Sequence, residues 1–414
     1  MKTPLLVPSL VALVFGSTLL SVPGCNSDQA SGDPETGGAS ASTAGANGSG
    51  GHTEATGGSD GVRPGGEGGE TSNAAGSPGT GDGGASTTPA GALSTTTFLY
   101  VHSVTPDSDE LVALDYATGD QWVVTDQKSD GSDGWDIWGH AISPDRTRIA
   151  IASLYGPTKA DNATGLATRR IWTLATDGSD FQRITPVFDN DAGGRKNYNI
   201  DVQGPVFSLD GQSIIYDFGN WWYEGTTLQG GSLPWIVSAA GDALPDLFPT
   251  NVGCSVIEPS VNPATGDVLF VHSVCTSSAN EGLFLYPKDG GEPVKLLQAG
   301  YGAGNVDPAL EKASWLADGS GFVYVGSIEV TRGDVTSTAN ALLLFNMETG
   351  ESSVLVVPDA NTNVRNAAIA PNGDGIVYCL AHDDVHDLHA IDLTVDPAED
   401  SAITDDGISC SPVF

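Results

Sequence analysis

The chain has 414 residues, of which 52 are acidic and 16 are basic, and its formal net charge is −36. Residues 26–92 contribute −7 and Lys2 contributes +1, which leaves −30 on residues 93–414. A surface this acidic repels the phosphates of nucleic acids and of anionic lipid headgroups, so neither is expected as a direct partner. It fits either cation binding or a solvated surface without a specific partner.

The first 25 residues have the pattern of an export signal. An apolar run from Leu5 to Val22 follows Lys2 and ends in the segment Val22–Cys25 (V-P-G-C). This ending resembles a bacterial lipobox, in which small residues precede a cysteine that is lipidated and becomes the mature N-terminus. A transmembrane anchor is the alternative, but the run is marginal for a hydrocarbon core of about 30 Å and no basic cluster follows it. The sequence therefore predicts a lipoprotein signal peptide over 1–25 and a lipid on Cys25.

The segment that follows predicts how the protein is held. Residues 26–92 are rich in Gly, Ser, Thr, Ala and acidic residues and contain no aromatics. Such a stretch cannot bury enough apolar surface to offset its ordering entropy, which predicts a disordered tether. Asn26, and no aspartate, follows Cys25. In a Gram-negative host this resembles a lipoprotein directed to the outer membrane, facing either the periplasm or the exterior.

Residues 93–414 repeat themselves. Short alternating β-type runs recur with spacings of 51, 65, 54, 54 and 54 residues, starting at Phe98, Ile149, Ile214, Val268, Phe322 and Ile376. A period near 50 residues is typical of a propeller or a repeat array. Each run after the first follows a tight turn such as Ser208–Gly211, and each is followed by a third strand, another turn and a fourth strand. Four strands in each of six repeats predict an all-β, six-bladed β-propeller of four-stranded blades.

The repeat resembles that of the TolB-like propeller family. The shared pattern is a strand, a turn of the S-P-D-G kind, a second strand and a third strand of the form L-x-x-x-D, as in Ala370–Gly373 and Leu388–Asp392 of blade 6. The resemblance covers essentially all of 95–414. It implies the fold and no chemistry, because nothing here resembles the α/β domain in front of the propeller in TolB or the hydrolase domain of the prolyl-oligopeptidase group.

The C-terminus predicts how the ring closes. Ser411–Phe414 matches Gly204–Phe207 of blade 3, whereas the first run at Phe98 lacks a preceding inner strand. We expect the C-terminal strand to supply the inner strand of blade 1, which removes exposed sheet edges. Cys379 and Cys410 pair by exclusion and would latch blade 6 to this strand; two free buried thiols are the alternative.

The other two propeller cysteines belong to blade 4. An even number of cysteines in an exported chain suggests disulfides. Counting outward from the turn of the blade 4 hairpin sets Ile257 opposite His272 and Cys254 opposite Cys275. Facing Cβ atoms at a fraying strand end can be bridged, so this pair is predicted to be a disulfide.

Long insertions are expected to gather on one face. In a propeller, the loops from second to third strand and from outer strand to the next blade surround the channel mouth. Four insertions fall there, all in blades 1–3: Gln127–Gly139, Leu154–Arg169, Val187–Gly204 and Gly219–Leu233. Their aromatic rings would stack on a sugar or a peptide, or else pack the loops onto the blades. They are Trp135, Trp138, Tyr155, Tyr198, Trp221, Trp222 and Tyr223.

Two short patterns are compatible with a metal, although no cofactor is expected. Asp130, Asp133 and Asp136 alternate in a Gly-rich segment that resembles a calcium loop without EF-hand spacing or its terminal Glu. His382 and His386 flank a turn of blade 6 and would suit a transition metal. The resemblance adds that TolB-like propellers include pectin-fragment lyases that use a His-bound metal. A solvated acidic turn and a hairpin with exposed His are the alternative interpretations.

Two functions are compatible with these features. The first is a lipid-anchored, monomeric and non-catalytic binding or scaffold module of the cell envelope, with a protein or glycan partner on the loop-rich face of blades 1–3. The second is a metal-dependent, polysaccharide-degrading lyase-like enzyme with His382 and His386 as ligands. The β runs carry no Ser/His/Asp set, phosphate-binding loop or dinucleotide fingerprint, and the first function is favoured.

Overall fold

The computed structural model describes residues 91–414 except 106–107, 126–134, 155, 157–168, 187–198, 225–226, 251–252, 276, 299–311, 383–384 and 396–398. The regular structure in this part is almost entirely β, with one short 3-10 turn at Ser278–Asn280. No helix among these residues is long and apolar enough to cross a membrane.

The strands form six antiparallel, four-stranded sheets in a six-bladed β-propeller, as the repeat predicts. The strands of the first half, in chain order, are β1 (Thr97–Thr105), β2 (Ser108–Asp115), β3 (Gln121–Val123), β4 (Ile137–Ile142), β5 (Arg148–Ser153), β6 (Arg170–Ala175), β7 (Gln182–Arg183), β8 (Asn199–Phe207), β9 (Ser213–Glu224), β10 (Thr227–Ser238) and β11 (Asp246–Leu247).

Blades 4–6 repeat the same order of inner, second, third and outer strand. Their strands are β12 (Ser255–Val261), β13 (Val268–Ser273), β14 (Gly282–Tyr286), β15 (Val294–Gln298), β16 (Ser314–Trp315), β17 (Gly321–Arg332), β18 (Val335–Asn346), β19 (Ser352–Val356), β20 (Asn363–Ile369), β21 (Gly375–His382), β22 (Val385–Asp392) and β23 (Glu399–Ala402). The last strand, β24 (Ser409–Val413), belongs to blade 1.

The hydrophobic core lies between the blades. Leu99 and Leu111 of blade 1, for example, form one buried cluster with Ile149 and Ile151 of blade 2. Burying such a side chain stabilises the fold by roughly 1.5–3 kcal/mol. Because each blade buries its apolar face against the next, the ring is stable only when every blade has both neighbours.

The ring closes through its C-terminal strand. In blade 1 the strand order is β24-β1-β2-β3, with Val413 opposite Leu99 and Ser409 opposite His102. The ring of Phe414 packs 5.5 Å from that of Phe98, centroid to centroid. The predicted closure is therefore present.

Both cysteine pairs are disulfides in the structure. Cys379 on β21 is bonded to Cys410 on β24, so this bond crosses from blade 6 to blade 1. The second bond joins Cys254 to Cys275 at the end of the β12–β13 hairpin. One disulfide thus reinforces the seam of the ring and the other a single blade.

The register predicted for blade 4 is wrong by one residue. His272 lies opposite Val256, and Ile257 lies opposite Val271. The counting assumed a regular ladder, but the strand carries a β-bulge at Glu258, whose φ is 55°. A bulge adds one unpaired residue and shifts every pair beyond it.

One predicted insertion is not a loop. Gly219–Leu233 falls within β9 and β10, which form a hairpin of two 12-residue strands whose pairing runs from Ser213 to Glu224. A comparable hairpin, β17–β18, extends from blade 5 on the same face. The sequence predicted that the insertions of this face favour blades 1–3; in the structure, blade 5 also extends a long hairpin there.

Removing the last six residues is expected to open the ring. Deletion of Ser409–Phe414 exposes the edge of β1, removes the packing of Phe414 on Phe98 and abolishes the seam disulfide. We expect the melting temperature to fall by at least about 10 °C, measured by calorimetry. Deleting six residues of the 26–92 segment is the control and should leave it unchanged. An unaltered melting temperature after the C-terminal deletion would refute closure by β24.

Candidate functional site

The inner strands carry a β-bulge at one repeated position. The register shifts in β4, β8, β12, β20 and β24, and the bulged residue has a positive φ in each: Gly139, Gly204, Glu258, Asn366 and Ser411. Lys312 is the corresponding residue of blade 5, since it lies 54 residues after Glu258 and 54 before Asn366. Six residues at the bend of the inner strands therefore surround the channel at one level.

The inner strands enclose a central cavity of about 940 Å³. This volume lies in the range of small-molecule sites, and its lining comes from all six blades. Apolar side chains such as Val101 and Trp315 alternate along it with polar ones such as Glu258 and Lys312. The channel is therefore the concave surface on which a binding site is expected.

A buried carboxylate lies in the wall between blades 3 and 4. Asp217 is fully buried, and its Oδ2 accepts a hydrogen bond of 2.9 Å from the bulge amide of Glu258. A Cβ atom on Gly204 would lie 2.8 Å from this Oδ2, so the site requires glycine in the bulge of blade 3. Oδ1 of Asp217 has no hydrogen-bond partner among the described residues.

Asp217 replaces an apolar residue of the repeat. In each of the other five blades, the strand registers identify one residue at the position that Asp217 occupies in blade 3. Those residues are Val101, Ala152, Val271, Val325 and Cys379. A charge in a position built for apolar packing is unfavourable unless polar groups surround it. Glu258 at the bulge of blade 4 and Lys312 at the corresponding position of blade 5 are the groups that interact with it.

Electrostatic interactions couple these three side chains. Burial raises the pKa of Asp217 well above its usual range, and the charge of Glu258 acts in the same direction. Burial also raises the pKa of Glu258 and lowers that of Lys312. Lys312 donates a hydrogen bond of 3.3 Å to the carbonyl of Pro205. Its ammonium therefore reaches from blade 5 to blade 3 and fills that side of the channel.

A second polar cluster lies where the inner strands of blades 2 and 3 begin. Arg169 donates two hydrogen bonds of 2.9 Å to the carboxylate of Asp201 and forms an ion pair of 3.1 Å with Asp136. Its guanidinium carbon lies 3.9 Å from the ring centroid of Trp138. Trp138 is 54% exposed and lines the cavity. The cluster thus fixes an exposed indole at the channel mouth.

The predicted aromatic surface is only partly present. Trp138 is exposed at the channel mouth, but Trp135 is buried and stacks on Phe181 at 5.1 Å, so the prediction of a binding role for Trp135 is wrong. An isolated bridge joins Trp135 to Asp109 of blade 1, and the side chain packs in the core cluster between blades 1 and 2.

For the other predicted rings, the structure gives at most the position of the backbone. Trp221, Trp222 and Tyr223 lie in β9, opposite Gly230, Gln229 and Leu228, and the orientation of their rings stays a prediction. Tyr155 and Tyr198 lie outside the described residues.

The predicted metal ligands do not come together. Ala381, and not His382, lies opposite His386 in the β21–β22 hairpin. Paired residues share a face and successive residues alternate, so His382 and His386 project from opposite faces. Asp136 is engaged by Arg169, while Asp130 and Asp133 lie outside the described residues. The described part of the chain contains no cluster of three or more His, Cys, Asp or Glu that would hold a metal.

Sequence reasoning missed the charged residues of the channel. The sequence analysis does not identify Asp217, Glu258, Lys312 or Arg365, although an alignment of the six repeats shows Asp217 at a position where the other blades carry small or apolar residues. The alternation within a single inner strand does not reveal the channel-facing residues, because the bulge shifts the register by one residue.

These features define a closed six-bladed β-propeller with a polar channel, and solved structures share the fold. TolB from Acinetobacter baumannii superposes with a TM-score of 0.51 and 17% identity, over 77% of this chain and 66% of that chain. Hydrazine synthase from Kuenenia stuttgartiensis superposes with a TM-score of 0.53 and 14% identity, over 76% of this chain and 46% of that chain. The chain therefore spans less than two thirds of either protein, and the likeness shows the fold alone.

Other comparisons give no function. Oligogalacturonate lyase in complex with manganese superposes with a TM-score of only 0.45 and 14% identity, which carries no argument about chemistry. No protein-family model matches the sequence, and no curated protein matches it significantly.

Replacing Asp217 by Asn is expected to change how stability depends on pH. A carboxyl whose pKa is raised by folding favours the folded state less and less as the pH rises from about 4 through the folded-state pKa. The asparagine amide in the variant does not ionise and still accepts from the Glu258 amide. We therefore expect the variant to gain stability relative to the parent protein as the pH rises, measured by urea unfolding between pH 4 and 8.

Asp210→Asn is the matched control with the opposite sign. Ser208 and the backbone of Gln212 lower the pKa of Asp210, so its carboxylate stabilises the fold above about pH 4 and loses this effect as the pH falls. The control should therefore be less stable than the parent at neutral pH. Parallel stability curves for the parent and Asp217→Asn would contradict a raised pKa at Asp217.

Proposed function

We propose that this protein is a non-catalytic binding module of the bacterial cell envelope, held by a lipid on Cys25 and binding a protein or glycan partner at the channel mouth. The observation that carries the proposal is the exposed Trp138 ring, which Arg169, Asp136 and Asp201 hold at the start of the inner strands. An exposed large apolar side chain held in place by partly buried polar contacts is typical of a recognition surface.

The rigidity of this surface supports the proposal. The guanidinium of Arg169 joins blade 2 to Asp201 of blade 3, so the indole rests on two blades instead of on a free loop. An aromatic side chain that is ordered before binding loses little conformational entropy when a partner arrives. The acidic domain surface favours a partner whose contact region is neutral or basic.

The chemistry of the cavity supports binding over catalysis. The carboxylates that line it are engaged: Asp109 accepts from Ile137 and Ser103, Asp136 pairs with Arg169, and Glu258 interacts with Lys312. A general acid or base needs a proton-exchanging group within reach of a substrate. The predicted lyase function also lacks support from the β21–β22 hairpin, whose register separates His382 from His386.

Lipid attachment completes the proposal. The V-P-G-C segment at Val22–Cys25 and the Gly/Ser-rich segment 26–92 support an exported domain on a long tether. The TolB-like fold is compatible with such a location. A chain anchored in this way reaches a partner some distance from the membrane without a membrane-spanning segment of its own.

Trp138→Ala is expected to weaken partner capture by at least about tenfold, because a central Trp often dominates an interface. The measurement is recovery of envelope proteins or glycan-array signal with the purified protein, compared by titration. Leu244→Ala removes another exposed apolar side chain, 84% accessible, and should leave capture unchanged. Equal loss in both variants, or no loss in Trp138→Ala, would argue against this surface.

Cys25→Ser is expected to release the protein from the membrane fraction, because the lipid is the only membrane contact that we propose. Cell fractionation and incorporation of a labelled fatty acid provide the measurement, with Ser27→Ala as the neighbouring control. Protease added to intact cells then reports the side that the domain faces. Membrane association of Cys25→Ser equal to that of the parent would contradict the lipid anchor.

A further inference from the structure

One channel arginine, Arg365, has no hydrogen-bond or ion-pair partner among the residues that the structure describes. It lies on β20, directly before the bulge of blade 6, and its exposed side chain lines the cavity. The other arginines of the described part all interact with another group, including Arg146, which donates to the carbonyls of Leu93 and Thr97. A guanidinium offers five donors in a planar fork, so Arg365 presents an unused anion-binding group.

The acidic side chains of the cavity do not neutralise this charge. Asp136 is paired with Arg169, and Asp109 accepts from Ser103 at 2.8 Å and from the Ile137 amide at 2.9 Å. Glu258 lies beside Lys312 on the opposite part of the ring. A cation without an acidic partner among the described residues is unusual in a domain of charge −30, which is rich in acidic side chains.

The repeat places Arg365 level with Trp138. Both residues directly precede the bulge of their inner strands, on blades 6 and 2. The equivalent residue of blade 1, between them, is Cys410, which is drawn into the disulfide with Cys379. Blade 1 therefore presents only a small side chain at this level, and Arg365 and Trp138 line the same cavity on either side of it.

Small polar groups lie one residue deeper. Asn366 donates a hydrogen bond of 3.3 Å to Ser411, and Gly139 packs without a side chain against Gly204 and Pro205. On the other half of the ring, Lys312 reaches from blade 5 to blade 3. The open part of the lumen is thus the part next to blades 6, 1 and 2.

We propose that this part of the channel binds a small monocarboxylate that carries a flat ring. The carboxylate would accept two hydrogen bonds from the Arg365 fork, and the ring would stack on the face of Trp138 that Arg169 leaves open. A single cationic group matches a single negative charge, and the net charge of −30 repels polyanions from the channel. The site shares Trp138 with the surface proposed above but needs no macromolecular partner.

The test uses phenylacetate and its neutral isostere phenylacetamide at millimolar concentrations. Ligand-observed NMR or calorimetry on the full protein measures the dissociation constants. We expect saturable binding of phenylacetate, at least about tenfold tighter than that of phenylacetamide, because a charge-assisted pair is lost in the amide. Equal affinity for the two compounds, or binding of neither, would overturn the proposal.

Three variants locate the site. Arg365→Gln should weaken phenylacetate binding by about tenfold or more, and Arg365→Lys should give an intermediate loss because it keeps the charge without the fork. Arg332→Gln is the matched control, since Arg332 donates to the carbonyl of Pro358 and does not line the cavity. Unchanged affinity in Arg365→Gln would overturn the assignment.

The outcome is separable from that of the partner surface. Arg365→Gln should retain capture of the envelope partner, whereas Trp138→Ala should weaken both activities. Capture through Trp138 without phenylacetate binding would refute only the carboxylate site. Phenylacetate binding that depends on Arg365, without any captured partner, would support the carboxylate site and refute the partner surface.

Discussion

The pairing of β24 with β1 is the constraint on which the rest of the structure depends. Each blade buries its apolar face against the next, so an open ring would leave two faces and one sheet edge exposed to water. The pairing of Val413 with Leu99 and the bond between Cys379 and Cys410 close that gap. A closed ring also fixes the distances across the channel, which a flexible array of blades would not.

The repeated bulge gives this rigid ring a channel of mixed character. Every bulge bends an inner strand at the same level, and the residue there determines what the channel presents. In blade 3 this residue is Gly204, and the absence of a side chain leaves room for the buried carboxylate of Asp217. In blade 5 the corresponding residue is Lys312, whose ammonium crosses the channel. One half of the lumen is consequently occupied by an internal charge network, and the other half is open beside Arg365 and Trp138.

Binding is the activity that such an arrangement supports. Several polar groups of the channel interact with one another, and Arg169 and Asp136 hold an aromatic ring at its mouth. The fold is shared with proteins as different as TolB and hydrazine synthase. The fold therefore does not determine function, and the particular residues at the bulge level do.

The sequence by itself determined the architecture, because the spacing of the β runs and the match between Ser411–Phe414 and blade 3 can be recognised in the sequence alone. It also pointed to Trp138. Only the tertiary structure decided that Trp135 is core, that His382 and His386 face apart, and that Asp217 meets Glu258 and Lys312. For the channel charges the physical reason is the bulge: one unpaired residue in an inner strand changes which side chains face the channel, and the alternation within the strand does not mark where it lies.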